Sequence, residues 1–380
     1  MKIAHTSDLH IDSQHQERWD ALQIVLEKAG QEKVDYLVIA GDLFDDVEAA
    51  SEYITKLRRY FSGLGFKVIM IAGNHDYKSF EDERDLGDDV IVLSRKNPLF
   101  KDASNGVSFF TVPYLQGVGN EYFYEQLAYI SKNLESTVFN ILVYHGDLDE
   151  VVKKVRYRRE VTGGEVESAF SLSVRVLQKF PMVQLVLSGH YHTYGDPIPI
   201  DETGRFVVYS GAPVSITRGD LGPRYLVVYD VNRESKSVSV SKLPLGTLYF
   251  EKLEIHLSPT SVESIENVVF SGIQNSLKGD SGKILLLQLK GYINSQEQGI
   301  NEVKLKDIVR RYCEEKWKGR VVLQEDWFGV LDVAFLVDKP FSRSILEQIE
   351  RLDLQEEDKR ILKEWFVSAL SKVYSQKVKI

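Results

Sequence analysis

Five short polar clusters in this chain each close an apolar, β-branched run: SDLH (Asp8, His10), GDLFD (Asp42, Asp45), GNHD (Asn74, His75, Asp76), YHG (His145) and GHYH (His190, His192). Carboxylate, amide and imidazole groups held at strand ends need partners, and divalent cations supply them. A single cluster of this kind is a cap or a turn, because Asn and Asp tolerate left-handed backbone. Five in this order point to two cations acting on a phosphate ester. Two cations about 4 Å apart need a bridging carboxylate, terminal ligands on each side and open positions for water and phosphate. Asp8, His10 and His192 suit one ion, Asp42 bridges, and Asn74, His145 and His190 suit the other. Oxygen and imidazole donors without thiolate favour manganese, iron or zinc over calcium, with manganese the first choice. The expected nucleophile is a metal-bound hydroxide. His75 follows Asn74 directly and is expected to face the substrate as the catalytic histidine, with Asp76 orienting its ring. Asp45 is open to two readings, an acceptor behind the ligands or the N-cap of the next helix.

The elements that must hold these residues are short. Lys2 to Thr6, Val34 to Ala40, Lys67 to Ala72, Val138 to Tyr144 and Met182 to Leu187 read as buried strands. Between them Trp19, Leu22, Leu26 and Ala29, and then Tyr53, Leu57, Tyr60 and Phe61, repeat at helical spacing. Strand and helix in alternation predict an α/β layer structure whose ligands gather beyond the carboxyl ends of the strands. Gly41, Gly73 and Gly189 are expected to turn the chain sharply there. After His192 the strands Phe206 to Ser210, Tyr225 to Asp230 and Ser237 to Leu243 read as the second half of a sheet packed on the first.

From Gly246 a small α+β unit is expected, with strands at Leu248 to Leu257, Lys283 to Lys290, Arg320 to Leu323 and Val330 to Val337. Helices are expected at Ser261 to Leu277 and Asn301 to Trp317. Two helical patterns, Ser342 to Leu352 and Glu356 to Tyr374, follow. The domains are therefore drawn at 1–245, 246–340 and 341–380.

At 380 residues the chain exceeds one ordinary core. Its single cysteine, Cys313, excludes a disulfide framework and a Cys-based zinc cluster. No apolar run approaches the roughly 20 residues of a membrane span, and the chain opens almost at once on a strand and a ligand cluster, so a cytoplasmic protein is expected. The net charge of −9 excludes any argument for nucleic acid from overall basicity.

The opening KIAHTSDLHID, the strand ends AGDLFD and AGNHD, and GHYH followed by VVYSGAPVSI resemble the SbcD branch of the calcineurin-like metallophosphoesterases. That branch comprises the nuclease subunits of double-strand-break repair complexes, of the meiotic recombination eleven type. The resemblance implies a two-sheet sandwich flanked by helices, then a small α+β capping domain and a helical pair. It implies a manganese-dependent exonuclease and endonuclease on DNA ends, and a homodimer docked by its C-terminal helices on an SbcC-type ABC ATPase with a coiled coil. Asp8, His10, Asp42, Asn74, His145, His190 and His192 become metal ligands, and His75 the catalytic histidine. Archaeal relatives carry a second functional histidine soon after the GDLF strand end, where this chain has Asp45 and Asp46. Lys153, Lys154, Arg156, Arg158 and Arg159 form a basic run that could contact phosphates. Two further readings are a small-substrate enzyme of the same fold, such as a cyclic-nucleotide phosphodiesterase, and a non-catalytic DNA-binding scaffold.

Overall fold

The computed structural model describes the chain apart from residues 81–84, 116, 118, 153–170, 260–262, 335–338 and 378–380, and apart from the side chains of 47–51, 364, 371–372 and 374–377. Two compact units divide it, Met1–Tyr249 and Phe250–Ile380.

The first unit is built on two six-stranded sheets. One contains β1 (Lys2–Thr6), β2 (Tyr36–Ala40), β3 (Lys67–Ile71), β4 (Val90–Val92), β13 (Tyr225–Asn232) and β14 (Ser237–Pro244), in the order β14-β13-β1-β2-β3-β4. The other contains β5 (Leu99–Asp102), β6 (Val107–Phe110), β7 (Phe139–His145), β10 (Leu185–Gly189), β11 (Ile198–Pro199) and β12 (Phe206–Tyr209), in the order β11-β12-β10-β7-β6-β5. A separate ribbon pairs β8 (Asp147–Leu148) with β9 (Ser171–Leu172). In the first sheet β1 to β4 pair in parallel out to the edge and the antiparallel pairs β1/β13 and β13/β14 lie on the other side, whereas in the second β6, β7, β10 and β12 pair in parallel between antiparallel β5 and β11.

Period-two alternation sorts the apolar residues onto the two faces of each sheet. Ile3, Val38, Ala40 and Ile69 join Phe109, Ile141, Val143 and Leu187 in the core between the sheets. Ala4, Leu37, Ile39, Val68 and Met70 face the other way. There α1 (Gln16–Gln31) lays down Trp19, Leu22, Val25, Leu26 and Ala29, and α2 (Val47–Tyr60) adds Leu57. On the far face of the second sheet, α3 (Asn120–Ser131) buries Phe123, Leu127 and Ile130 at helical spacing. β1, β2, β3, β7 and β10 are buried on both faces over nearly all their length, which is why they read as continuous apolar runs.

Residues beyond His192 do not form a sheet half of their own. β12 pairs in parallel with β10 in the second sheet, whereas β13 returns antiparallel to β1 with Ile3 opposite Tyr229 in the first. The second sheet also begins earlier than expected, with β5 and β6. Those strands are only four residues long, and β5 is nowhere fully buried, so neither presents a long apolar run.

The second unit centres on a three-stranded sheet in the order β15 (Tyr249–Leu257), β16 (Lys283–Ile293), β17 (Val321–Asp332). Helices Ile265–Leu277 and Glu302–Glu315 cover it, bringing Val269, Ile273, Leu305 and Cys313 against Leu285, Leu287 and Leu289. A single strand, β17, takes in the stretch expected at Arg320 to Leu323 and the start of that expected at Val330 to Val337, of which residues 335–337 lie outside the described residues. Gln324, Glu325 and Asp326, between the two expected strands, form an irregularity in the ladder: Leu287 pairs with Leu323, but Leu289 pairs with Phe328. Helices Pro340–Glu350 and Glu356–Lys377 close the chain. No helix among the described residues is long and apolar enough to cross a membrane.

Candidate metal centre

β1, β2 and β3 lie side by side, and their carboxyl ends deliver Asp8 and His10, Asp42 and Asp45, and Asn74 and His75. β7 and β10 are neighbours in the other sheet, with His145 in register with Gly189, so His190 and His192 follow beside it. Main-chain bonds carry the pairing past the strand ends: Asp8 N donates to Gly41 O at 3.0 Å and His10 N to Asp42 O at 3.0 Å. The backbone is strained here. Asp8, His10, Asp42 and His190 have φ of 55°, 46°, 49° and 98°, four of the six non-glycine residues in the left-handed region among those described. Strain held so locally marks a functional site. Of the expected turn glycines, Gly41 has φ of +91°, but Gly73 and Gly189 serve a different need. A Cβ on Gly73 would lie 2.1 Å from Asp42 Oδ1, and one on Gly189 would lie 2.1 Å from Ala40 O.

The imidazoles are held in a consistent sense. His10 Nδ1 donates to Asp45 Oδ1 at 3.1 Å, His145 Nδ1 to Ala40 O at 2.8 Å and His192 Nδ1 to Asp220 Oδ2 at 3.1 Å. Each acceptor is an oxygen without a proton to give, which fixes the tautomer and leaves Nε2 for the site. His10 Nε2 is buried without a hydrogen-bond partner, 3.8 Å from Asp42 Oδ2. His145 Nε2 lies 3.2 Å from Asp42 Oδ2 and 3.0 Å from Asn74 Oδ1. His190 is turned the other way, with Nδ1 at 3.2 Å from Asn74 Oδ1 and Nε2 at 3.5 Å from Asp147 Oδ1. Donor atoms of Asp8, His10 and His192 fall within 4.8 Å of one another, as do those of Asp8, Asp42 and His145, and those of His10, Asp45 and His75. An orphaned imidazole nitrogen, two buried carboxylates and rings tethered from behind form a donor set that fits divalent cations.

Electrostatics agree with that fit. Burial works against a charged Asp42, but the charge and hydrogen bond of His145, with His10 and His75, prevail and hold its carboxyl below the usual range. Burial likewise disfavours a charged His145, yet Asp42 and Asp8 lift it above the ordinary imidazole range. His190, desolvated and facing the charge of His145, is pushed down to about 4. The site thus favours positive charge between its carboxylates.

Asp76 is used differently from expectation. It is fully buried, and its carboxylate accepts from Gly73 N at 2.8 Å and Phe44 N at 3.1 Å, tying the β2 and β3 loops together. The group behind the exposed His75 ring is the Asp45 carbonyl, which accepts from Nδ1 at 3.1 Å. Asp45 therefore serves two histidines, His10 through its carboxylate and His75 through its main chain. Asp220 escaped sequence reasoning altogether. It lies 28 residues beyond its partner in a loop of turn formers, and also accepts from Ile216 N at 3.2 Å and Thr217 N at 2.7 Å. Asp147, beside His190, is signalled only by its closeness to His145 in YHGD. Lys153, Lys154, Arg156, Arg158 and Arg159 lie outside the described residues.

Among solved structures the chain resembles a dimetal phosphatase from Danio rerio, at 11% identity and a TM-score of 0.44, covering 64% of this chain and 96% of that one. A protein from Thermus thermophilus matches at 10% identity and 0.38, covering 63% and 98%. GAP50, the anchor in the inner membrane complex of Plasmodium, matches at 12% and 0.39, covering 64% and 88%. The calcineurin-like phosphoesterase family model matches residues 1–194. That stretch is just over half of the 380 residues and contains every donor that converges here except Asp220, so the chain belongs to the calcineurin-like phosphoesterases, a family of metal-dependent hydrolases.

Proposed function

We propose that this protein is a two-metal nuclease that hydrolyses phosphodiester bonds at DNA ends. The observation that carries the hydrolytic part is the shared orientation of His10, His145 and His192, each tethered through Nδ1 with Nε2 directed at the site of the buried Asp8 and Asp42. In this reading Asp8, His10 and His192 would hold one cation and Asn74, His145 and His190 the other, with Asp42 available to both and manganese the preferred ion. Bound cations supply Lewis acidity to the phosphate and lower the pKa of water in the site. His75 donates its Nδ1–H to Asp45 O in a hydrogen bond, so the exposed ring keeps Nε2 for the phosphate or its leaving oxygen. Asp76 acts through the main chain, keeping the His75 loop at its distance from β2.

The choice of DNA rests on the SbcD-like strand-end motifs and on the presence of a second α+β unit, which a small substrate does not need. The same resemblance supports a homodimer that works with a coiled-coil ABC ATPase docked on the helices Pro340–Glu350 and Glu356–Lys377, where Phe341 and Trp365 are exposed. The deciding assay offers end-labelled linear and hairpin DNA, with and without manganese and such an ATPase, alongside cyclic nucleotides. Manganese-dependent DNA cleavage is expected, and His75→Ala should slow it about 10²- to 10⁴-fold with metal content unchanged. Hydrolysis of cyclic nucleotides without DNA cleavage overturns the proposal.

A further inference from the structure

We propose that a cavity beside the metal centre, of about 290 Å³, is a subsite for a single nucleobase of the substrate. The proposal rests on the reading of the protein as an enzyme of nucleic acids. The cavity shares its wall with the catalytic loop: Ala72 immediately precedes Gly73 and Asn74, and Tyr77 immediately follows Asp76.

Its lining matches a base carried on a phosphodiester. Tyr77, Phe80, Tyr114 and Tyr122 supply aromatic surface, with the rings of Tyr77 and Tyr114 5.4 Å apart and inclined at 61°. Aromatic faces stack any base, because every base has a π-face. The volume lies at the lower end of small-molecule pockets, which run from roughly 300 Å³ upward, so one ring system fills it and a base pair does not enter. Ser94, Arg95 and Lys96 add hydroxyl and cationic groups to this apolar lining, and both cations are exposed. They suit the phosphates on either side of an inserted base. Tyr114 and Tyr122 are half-buried and packed on the core beneath the second sheet. An unpaired or extruded nucleotide lodged there would sit next to the bond presented to His75, and the enzyme would favour strand ends, gaps and hairpin loops over intact duplex.

The test reads binding and needs no turnover. 2-Aminopurine monophosphate and a single-stranded oligonucleotide containing 2-aminopurine are titrated against the full chain in chelator, with fluorescence quenching as the signal of stacking. Wild type should quench. Tyr114→Ala should weaken binding roughly tenfold, the loss of about one base stack, and Tyr114→Phe should retain it. Quenching of both probes assigns the site to a free nucleotide or a strand alike, and quenching of the oligonucleotide alone assigns it to a strand. No quenching, or equal affinity in Tyr114→Ala with unchanged circular dichroism, overturns the proposal. If DNA is cleaved but no quenching occurs, the base subsite fails alone. If quenching occurs but no nucleic acid is cleaved, the nuclease reading fails and the base subsite stands.

Discussion

The two large sheets each contain four strands paired in parallel and two further strands paired antiparallel, yet they contribute different chemistry. The first supplies the acidic and amide groups, Asp8, Asp42 and Asn74, together with His10 and His75. The second supplies the imidazoles of His145, His190 and His192. Two of the three donor groups that converge, Asp8 with His10 and His192 and Asp8 with Asp42 and His145, draw on both sheets. What joins them is a row of bonds across the seam: His145 Nδ1 to Ala40 O at 2.8 Å, and His190 N to the Asp8 carboxylate at 3.1 Å. A division of this kind means that the site exists only when the sheets are correctly stacked, so site integrity and sheet packing should fail together.

The sharpest way to break that division is to take the charge from the first sheet. Asp42→Ala leaves the three imidazoles facing one another without their central carboxylate, and should lower activity about a thousandfold or more. Bound metal, measured by elemental analysis, should fall with it. Full metal occupancy in this variant would show that the imidazole side suffices.

Next in size is an acid weakness at the seam. His5 on β1 is wholly buried, its Nδ1 is 3.1 Å from Tyr229 Oη and its Nε2 has no partner. Burial drops its pKa from 6.5 to about 3. The unfolded chain therefore binds a proton that the folded one refuses. Stability from this residue is complete above pH 6.5 and is lost as pH falls toward 3, by an amount on the order of 5 kcal/mol. Denaturant unfolding at pH 7 and pH 4 should show this limb reduced in His5→Gln. An unchanged pH dependence would place the acid weakness elsewhere.

The smallest effect expected is at Asp220, on the connection that leads from the second sheet back to the first. Asp220→Asn should weaken metal affinity about 10- to 100-fold, because the His192 ring loses the charge that fixes its tautomer. Calorimetric titration with manganese checks it. A variant with native affinity would make Asp220 a loop residue alone.

What could be read in the sequence follows from how local each constraint is. Strands such as Tyr36–Ala40 are buried on both faces, so their runs are unbroken and each cluster after them is visible within a few residues. Their ends differ from expectation by two or three residues at most, as for Met182 against Leu185. Short strands at the sheet margins have no such run, and β4 to β6 leave no comparable mark in the sequence. Gln324, Glu325 and Asp326 fall between two expected strands, while the ladder absorbs them as a register shift. Tertiary use of a side chain is the least legible. Nothing in GNHD distinguishes an Asp76 that holds a ring from one that clamps two main-chain amides, and nothing near GHYH points to Asp220.

The position of β1 has a consequence for how the enzyme comes into being. Asp8 and His10 hang from a strand whose neighbours are β2, about thirty residues away, and β13, with Ile3 opposite Tyr229. Closing so long a loop is slow compared with forming local contacts. The first two clusters lie within the first 45 residues, whereas β13, which pairs with the strand that carries the first of them, begins only at Tyr225. The order of the strands along the chain thus means that the first sheet is complete only once nearly two thirds of the polypeptide has been made.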